Sequence, residues 1–104
     1  MAIGEARVNY KNFKNNTLGI VYILQSEKNG KYYIGSTTDL NRRILEHNSG
    51  KTKSLKYLLP MRLLFQQSFE NLIAARRMEI KLKKMKNRNI ISQIIADGEI
   101  KMGR

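Results

Sequence analysis

Five side chains in this sequence are of the types that hydrolyse a phosphodiester: Tyr22 and Tyr33, the pair Arg43 and His47 four residues apart, and Glu79 within a run of cations. That reaction needs an attacking water in line with the leaving oxygen, a proton acceptor beside it, positive charge on the non-bridging oxygens and help for the leaving group. Arg43 offers a permanently charged planar fork that suits a phosphate. His47, with an unperturbed pKa near ~6.5, can accept a proton, donate one or orient water. A phenol of reference pKa about 10 is a poor base when neutral, but a metal ion and several cations nearby favour the phenolate, a competent general base. Glu79 is a candidate ligand for hydrated Mg²⁺ or Mn²⁺, since one carboxylate at a core edge can hold such an ion without a dedicated cage. Each residue also has an ordinary reading. Strand tyrosines are commonly core or surface aromatics, a helical arginine is commonly solvated, and a histidine beside Leu40 and Ile44 commonly packs. Glu79 can pair with Lys83 at i,i+4, worth only about 0.3–0.5 kcal/mol when exposed.

The elements that must position these groups are legible from the apolar pattern. Leu18 to Leu24 (LGIVYIL) is apolar at nearly every position and rich in Val, Ile and Tyr, as in a strand covered on both faces. Tyr22 falls on the same side as Leu18, Ile20 and Leu24. A turn ending in Asn29-Gly30 returns the chain through Lys31 to Ser36 (KYYIGS), which predicts an antiparallel hairpin with Tyr33 on its second strand. Thr38 and Asp39 can cap a helix in which Leu40, Arg43, Ile44 and His47 recur at i, i+3, i+4 and i+7 before Asn48, Ser49 and Gly50 end it. Lys51 to Pro60 is a basic connection, and Arg62 to Phe69 has the apolar content of a third strand. Leu72 to Met85 predicts a long helix buried along Leu72, Ala75, Met78, Leu82 and Met85, with Glu79 at the edge of that stripe. Asn89 to Ala96 suits a short amphipathic helix ending at Asp97-Gly98.

Length and composition bound the rest. A chain of 104 residues is the size of one domain, which buries roughly 65% of its unfolded surface, enough for one modest core. With 20 Lys plus Arg against 8 Asp plus Glu, the formal charge is +12. Self-repulsion of that size is most readily tolerated beside a polyanion, so nucleic acid is the expected partner. No stretch approaches the ~18–20 apolar residues of a spanning helix, and the N-terminus lacks a signal-peptide apolar region, so a cytoplasmic protein without membrane contact is expected. The sequence has no cysteine and one histidine. That removes disulfides, thiolate zinc sites, cysteine nucleophiles and multi-histidine clusters, leaving carboxylate and water oxygens for any hard metal ion.

The second strand carries Tyr33-Ile34-Gly35 literally, and the first carries Ile20-Val21-Tyr22 in the matching place. Downstream stand Asp39 to Asn48 (DLNRRILEHN) and Ala75 to Lys84 (ARRMEIKLKK). In order, spacing and residue type these four segments resemble the GIY-YIG endonuclease superfamily, specifically small single-domain proteins similar to the UvrC N-terminal nuclease domain. The likeness covers roughly Leu18 to Ile95.

That resemblance implies an α+β nuclease fold over residues 18–97: a small three-stranded antiparallel sheet flanked by three helices, starting at Asp39, Leu72 and Arg88. A basic arm would precede it at 1–17 and a frayed tail follow at 98–104. It implies catalytic roles for Tyr22 as general base, Tyr33 as second active-site tyrosine, Arg43 as phosphate clamp, His47 at a histidine or tyrosine position, and Glu79 as metal ligand, all on one sheet face. Gly35, Lys51, Lys53, Arg76, Lys83 and Lys84 are the expected nucleic-acid contacts, Gly35 because backbone there can approach a phosphate. The implied activity is metal-dependent endonucleolytic hydrolysis of DNA, with RNA also open, at low intrinsic sequence specificity. It would act at the nucleoid in repair or recombination, with a protein partner supplying specificity. Two positions depart from the family pattern. Ile91 stands where many members carry an asparagine, and Ser36 stands where some carry a lysine. The alternative is a nucleic-acid-binding or adaptor domain on the same fold without turnover.

Overall fold

The computed structural model describes residues 17–101, so the arm expected at 1–17 lies, save for its last residue, outside the described residues, as do residues 102–104 of the expected tail. The elements run in the order β1 (Gly19–Ser26), β2 (Tyr32–Thr37), α1 (Leu40–Asn48), a 3₁₀ helix (Lys53–Leu58), β3 (Met61–Phe69), α2 (Leu72–Met85) and α3 (Arg88–Asp97). Among the described residues the strands form one antiparallel sheet in the order β2-β1-β3. The doubly apolar strand is therefore the central one. Val21, Ile23 and Leu24 are fully buried, because alternate side chains enter separate cores on the two faces.

One core joins Val21, Ile23, Ile34 and Phe65 to Ala75, Met78 and Leu82 of α2 and Ile91 and Ile94 of α3. The other joins Tyr22 and Leu24 to Leu40 of α1, Leu55 of the 3₁₀ helix and Met61. Element identities follow the sequence expectation, and the bounds of α2 coincide with it because Asn71 caps the helix through Ala74 N at the point where the apolar stripe begins. Asp39, rather than Thr38, caps α1, accepting from Arg42 N at 3.2 Å. In the hairpin, β1 continues two residues beyond Leu24. Ser26 Oγ then accepts from Lys28 N and Asn29 N at 3.1 and 3.2 Å, and Gly30 takes the positive φ of 78° that the turn requires.

Two features differ from expectation. The basic connection contains the 3₁₀ helix, pinned by buried Leu55 and by Ser26 Oγ donating to Leu58 O at 2.6 Å. The described part of the tail expected from Gly98, residues 98–101, is anchored at Ile100. Ile100 is fully buried in the α2–α3 core, and its N–H donates to Gln67 Oε1 at 2.8 Å. A single isoleucine among polar residues has no periodic neighbours to announce it, so local pattern could not show its burial.

Candidate active site

Tyr22, Tyr33 and His47 meet where α1 covers the sheet. The Tyr22 hydroxyl lies 2.9 Å from His47 Nε2. Ring centroids are 6.3 Å apart for the two tyrosines, 6.0 Å for Tyr22 and His47, and 5.3 Å for Tyr33 and His47. Register explains the meeting: Tyr22 pairs with Gly35 and Leu24 with Tyr33, and residues paired across an antiparallel ladder face the same side. On α1, the i,i+4 spacing of Arg43 and His47 sets both toward this side.

Gly35 also has a part in packing. A Cβ built there would stand within 3.0 Å of the Tyr22 hydroxyl and two of its ring carbons. The missing side chain makes room for the phenol, so Tyr22 approaches closely at Gly35. Gly19 is likewise obligatory, since a Cβ there would come within 2.7 Å of the Asn71 and Leu72 backbone.

His47 is 1% exposed, and its Nδ1 lies 2.8 Å from Thr52 Oγ1. Both ring nitrogens therefore have hydroxyl partners, and since a hydroxyl can donate or accept, either neutral tautomer is satisfied. Burial, reinforced by the Arg43 guanidinium and opposed by Glu46, holds the His47 pKa below the ordinary histidine value. Burial also pushes the Tyr22 pKa up. Tyr33 and Glu79 push it the same way, while Arg43 pulls it back. Arg43 and Glu79 thus both act on the Tyr22 hydroxyl, although they come from different helices. Arg43 is half-buried, with Nη1 3.7 Å from Glu46 Oε1.

Glu79 reaches this place from the other side of the sheet. The buried residues of α2 belong to the core opposite Tyr22, so the expectation of a site confined to one sheet face is corrected. The site is assembled around the edge strand β2. Gly35 faces Tyr22, whereas the next residue, Ser36, faces α2 and donates through Oγ to Glu79 Oε1. Lys83 Nζ stands 2.7 Å from Glu79 Oε2 and 5.7 Å from the centroid of the Tyr33 ring. The i,i+4 pair weighed from sequence therefore exists, within the same cluster as the phenols.

Thr52 was not singled out from sequence and carries no local signal. Ser36 was noted only as a departure from the family's lysine, and its contact with Glu79 follows from its side chain turning to the face opposite Gly35. The expected nucleic-acid contacts Lys51, Lys53, Arg76, Lys83 and Lys84 are all exposed. Lys51 and Lys53 flank the threonine that meets His47, and Arg76 lies one turn before Glu79. A separate cavity of about 630 Å³, lined by residues including Phe69, Glu70, Ala74 and Arg77, contains none of the five candidate residues. Among the described residues no group of three or more His, Cys, Asp or Glu could hold a metal ion. Glu79 is the residue that could hold a hard divalent ion completed by water and phosphate oxygens: one of its oxygens accepts from Ser36, and the other faces the Lys83 ammonium.

A three-stranded antiparallel sheet with paired tyrosines, an arginine-histidine helix on one face and a glutamate helix on the other defines a small α+β domain of the GIY-YIG class. The family model for the GIY-YIG catalytic domain matches residues 18–91, and the chain belongs to this family. It is 42% identical over 67 residues to a UPF0213 protein of Streptococcus pneumoniae serotype 4, covering 64% of this chain and 67% of that protein. It is 43% identical over 58 residues to a UPF0213 protein of Streptococcus pyogenes serotype M5, covering 55% and 63%. Among solved structures it is similar to the solution NMR structure of the UPF0213 protein BH0048 from Bacillus halodurans, at 35% identity over 76% of this chain and 83% of that one, with a TM-score of 0.48.

Proposed function

We propose that this chain is a metal-dependent endonuclease that hydrolyses phosphodiester bonds in DNA. The observation that carries the proposal is the 2.9 Å contact between the Tyr22 hydroxyl and His47 Nε2, at a hydroxyl on which the charges of Arg43 and Glu79 both act. Burial keeps Tyr22 protonated, so it works by exchange and not as a standing phenolate. Its oxygen takes a proton from the attacking water while its own proton passes to His47 Nε2, and the imidazolium that forms is held through Nδ1–H by Thr52 Oγ1. A lowered His47 pKa keeps the acceptor neutral at the start of each cycle. Arg43 clamps the non-bridging oxygens, and the Tyr33 ring packs edge-on against His47. Glu79 would hold Mg²⁺ or Mn²⁺, and the chemistry such an ion supplies is neutralisation of charge on the phosphate. By likeness to the family the P–O3′ bond breaks as water adds, the departing oxygen takes a proton from solvent, and the products carry a 5′-phosphate and a 3′-hydroxyl.

Exposed Lys51, Lys53, Arg76 and Lys84 fit backbone contact, which gives affinity and salt sensitivity without reading sequence. Cutting is then of low sequence specificity, in repair or recombination, with specificity supplied by a protein partner. Plasmid nicking in Mg²⁺, in EDTA and with Glu79→Ala tests the reading. Nicking that needs the metal and disappears with the substitution supports it. A binding domain without turnover is the second reading, favoured by Ile91, which is 5% exposed in the core at the place where many family members carry asparagine. Unchanged DNA binding with no nicking in any metal would establish that alternative.

A further inference from the structure

Both oxygens of Glu79 are engaged by the chain itself, and the two partners differ in kind. Ser36, on Oε1, sits in the edge strand, fixed by its register opposite Val21. Lys83, on Oε2 at 2.7 Å, ends a long aliphatic stem that is half exposed, while the carboxylate is only 17% exposed. Its ammonium also lies 5.7 Å from the Tyr33 ring centroid. One oxygen of the carboxylate is thus oriented by a rigid donor, and the other is covered by a cation free to swing away.

Taking the endonuclease reading as its basis, we propose that Lys83 is an internal cation that occupies the metal position on Glu79 in the free protein and leaves it for the phosphate when nucleic acid enters. An ammonium and a divalent ion cannot share Oε2, because like charges a few ångströms apart repel, so each must exclude the other. A phosphodiester beside Tyr33 supplies the negative charge that accepts the displaced ammonium. Metal binding and nucleic-acid binding then help one another, and by linkage each strengthens the other equally. Ser36 keeps the carboxylate in place while its partner changes, which makes it a positioning residue.

The test uses Mn²⁺ as probe, with free ion read by electron paramagnetic resonance, on the full chain without nucleic acid. Lys83→Met is expected to bind Mn²⁺ roughly five-fold more tightly than Lys84→Met, the upper end for releasing an ion pair at this exposure. Lys84→Met loses the same charge one residue along, so it removes the general effect of lowering a positive net charge. Adding Glu79→Gln to Lys83→Met should erase the gain. Equal affinities of the two lysine variants, weaker binding or no uptake by Lys83→Met, or a gain that survives Glu79→Gln each overturns the proposal. In cleavage, Lys83→Met should half-saturate at lower Mg²⁺ yet show a lower kcat, with Lys83→Arg restoring part of kcat. A purely structural lysine would move both quantities in the unfavourable direction. The Mn²⁺ measurement needs no turnover, so an inactive wild-type chain would defeat the nuclease reading while the exchange at Glu79 remained readable.

Discussion

Gly35→Ala replaces one hydrogen with a methyl group, and the structure fixes where that methyl goes. The new Cβ would stand within 3.0 Å of the Tyr22 hydroxyl, Cζ and Cε1, whereas carbon contacts are comfortable only from ~3.5 Å, so the ring must retreat by about 0.5 Å or more. Tyr22 is 2% exposed, so its ring can retreat only by moving the side chains packed around it. Its hydroxyl is already at hydrogen-bond distance from His47, 2.9 Å, so retreat either breaks that bond or drives the phenol into the imidazole. Overpacking of this kind costs ~1–3 kcal/mol, and each kcal/mol lowers Tm by about 4–8 °C in a domain of this size. Misplacing a reacting group by about 1 Å costs on the order of 10² in rate. Circular-dichroism melts and single-turnover nicking, the latter run well below the lowered Tm, read the two effects separately. A Gly35→Ala chain that melts and cuts like wild type would mean that the Tyr22 ring does not rest on Gly35.

Three further outcomes follow from the same geometry. Ile100→Ala should destabilise the fold by about 2–5 kcal/mol in urea titration, as removal of a fully buried isoleucine does, whereas a frayed tail would leave the midpoint unchanged. Gly19→Ala should cost ~1–3 kcal/mol, because its Cβ meets backbone of Asn71 and Leu72 that cannot rotate away; a neutral result in the same titration would mean that β1 and the start of α2 are not in contact. The folded-state pKa of His47 lies below its unfolded value of about 6.5, so the unfolded chain binds the proton first. Stability should therefore fall as pH drops below ~6.5 and level off beneath the depressed folded value, and the acid limb of kcat/KM should also lie below ~6.5. His47→Asn should flatten the stability slope, and an acid limb above that value would contradict a neutral buried acceptor.

The sheet and helices could be read from the chain because their signals are local. An unbroken apolar run such as Val21 to Leu24 fits a strand covered on both faces, and the Leu72 to Met85 stripe marks a helix. The meeting of Tyr22, Tyr33 and His47 was legible for a related reason: strand parity and i,i+4 spacing decide it once the hairpin is known. What α2 does at the sheet edge was not. Whether Glu79 comes from the same face as the phenols depends on which core its helix covers, and a one-residue step from Gly35 to Ser36 reverses the answer. Gly35 illustrates the limit well. A glycine within a strand announces that something approaches closely, but only the fold shows that it is a phenol. Thr52 and Ile100 lie in segments without a period, and their roles come entirely from what the folded chain brings to them.

Tyr22→Phe removes one oxygen from the centre of the account and leaves the ring that packs on Gly35. Single-turnover cleavage of a DNA duplex in Mg²⁺ should fall by at least about 10²-fold, the loss expected for a group that handles the proton of the attacking water, while DNA binding at low salt stays at the wild-type level. Cleavage at the wild-type rate by this variant would show that the hydroxyl held by His47 takes no part in the chemistry.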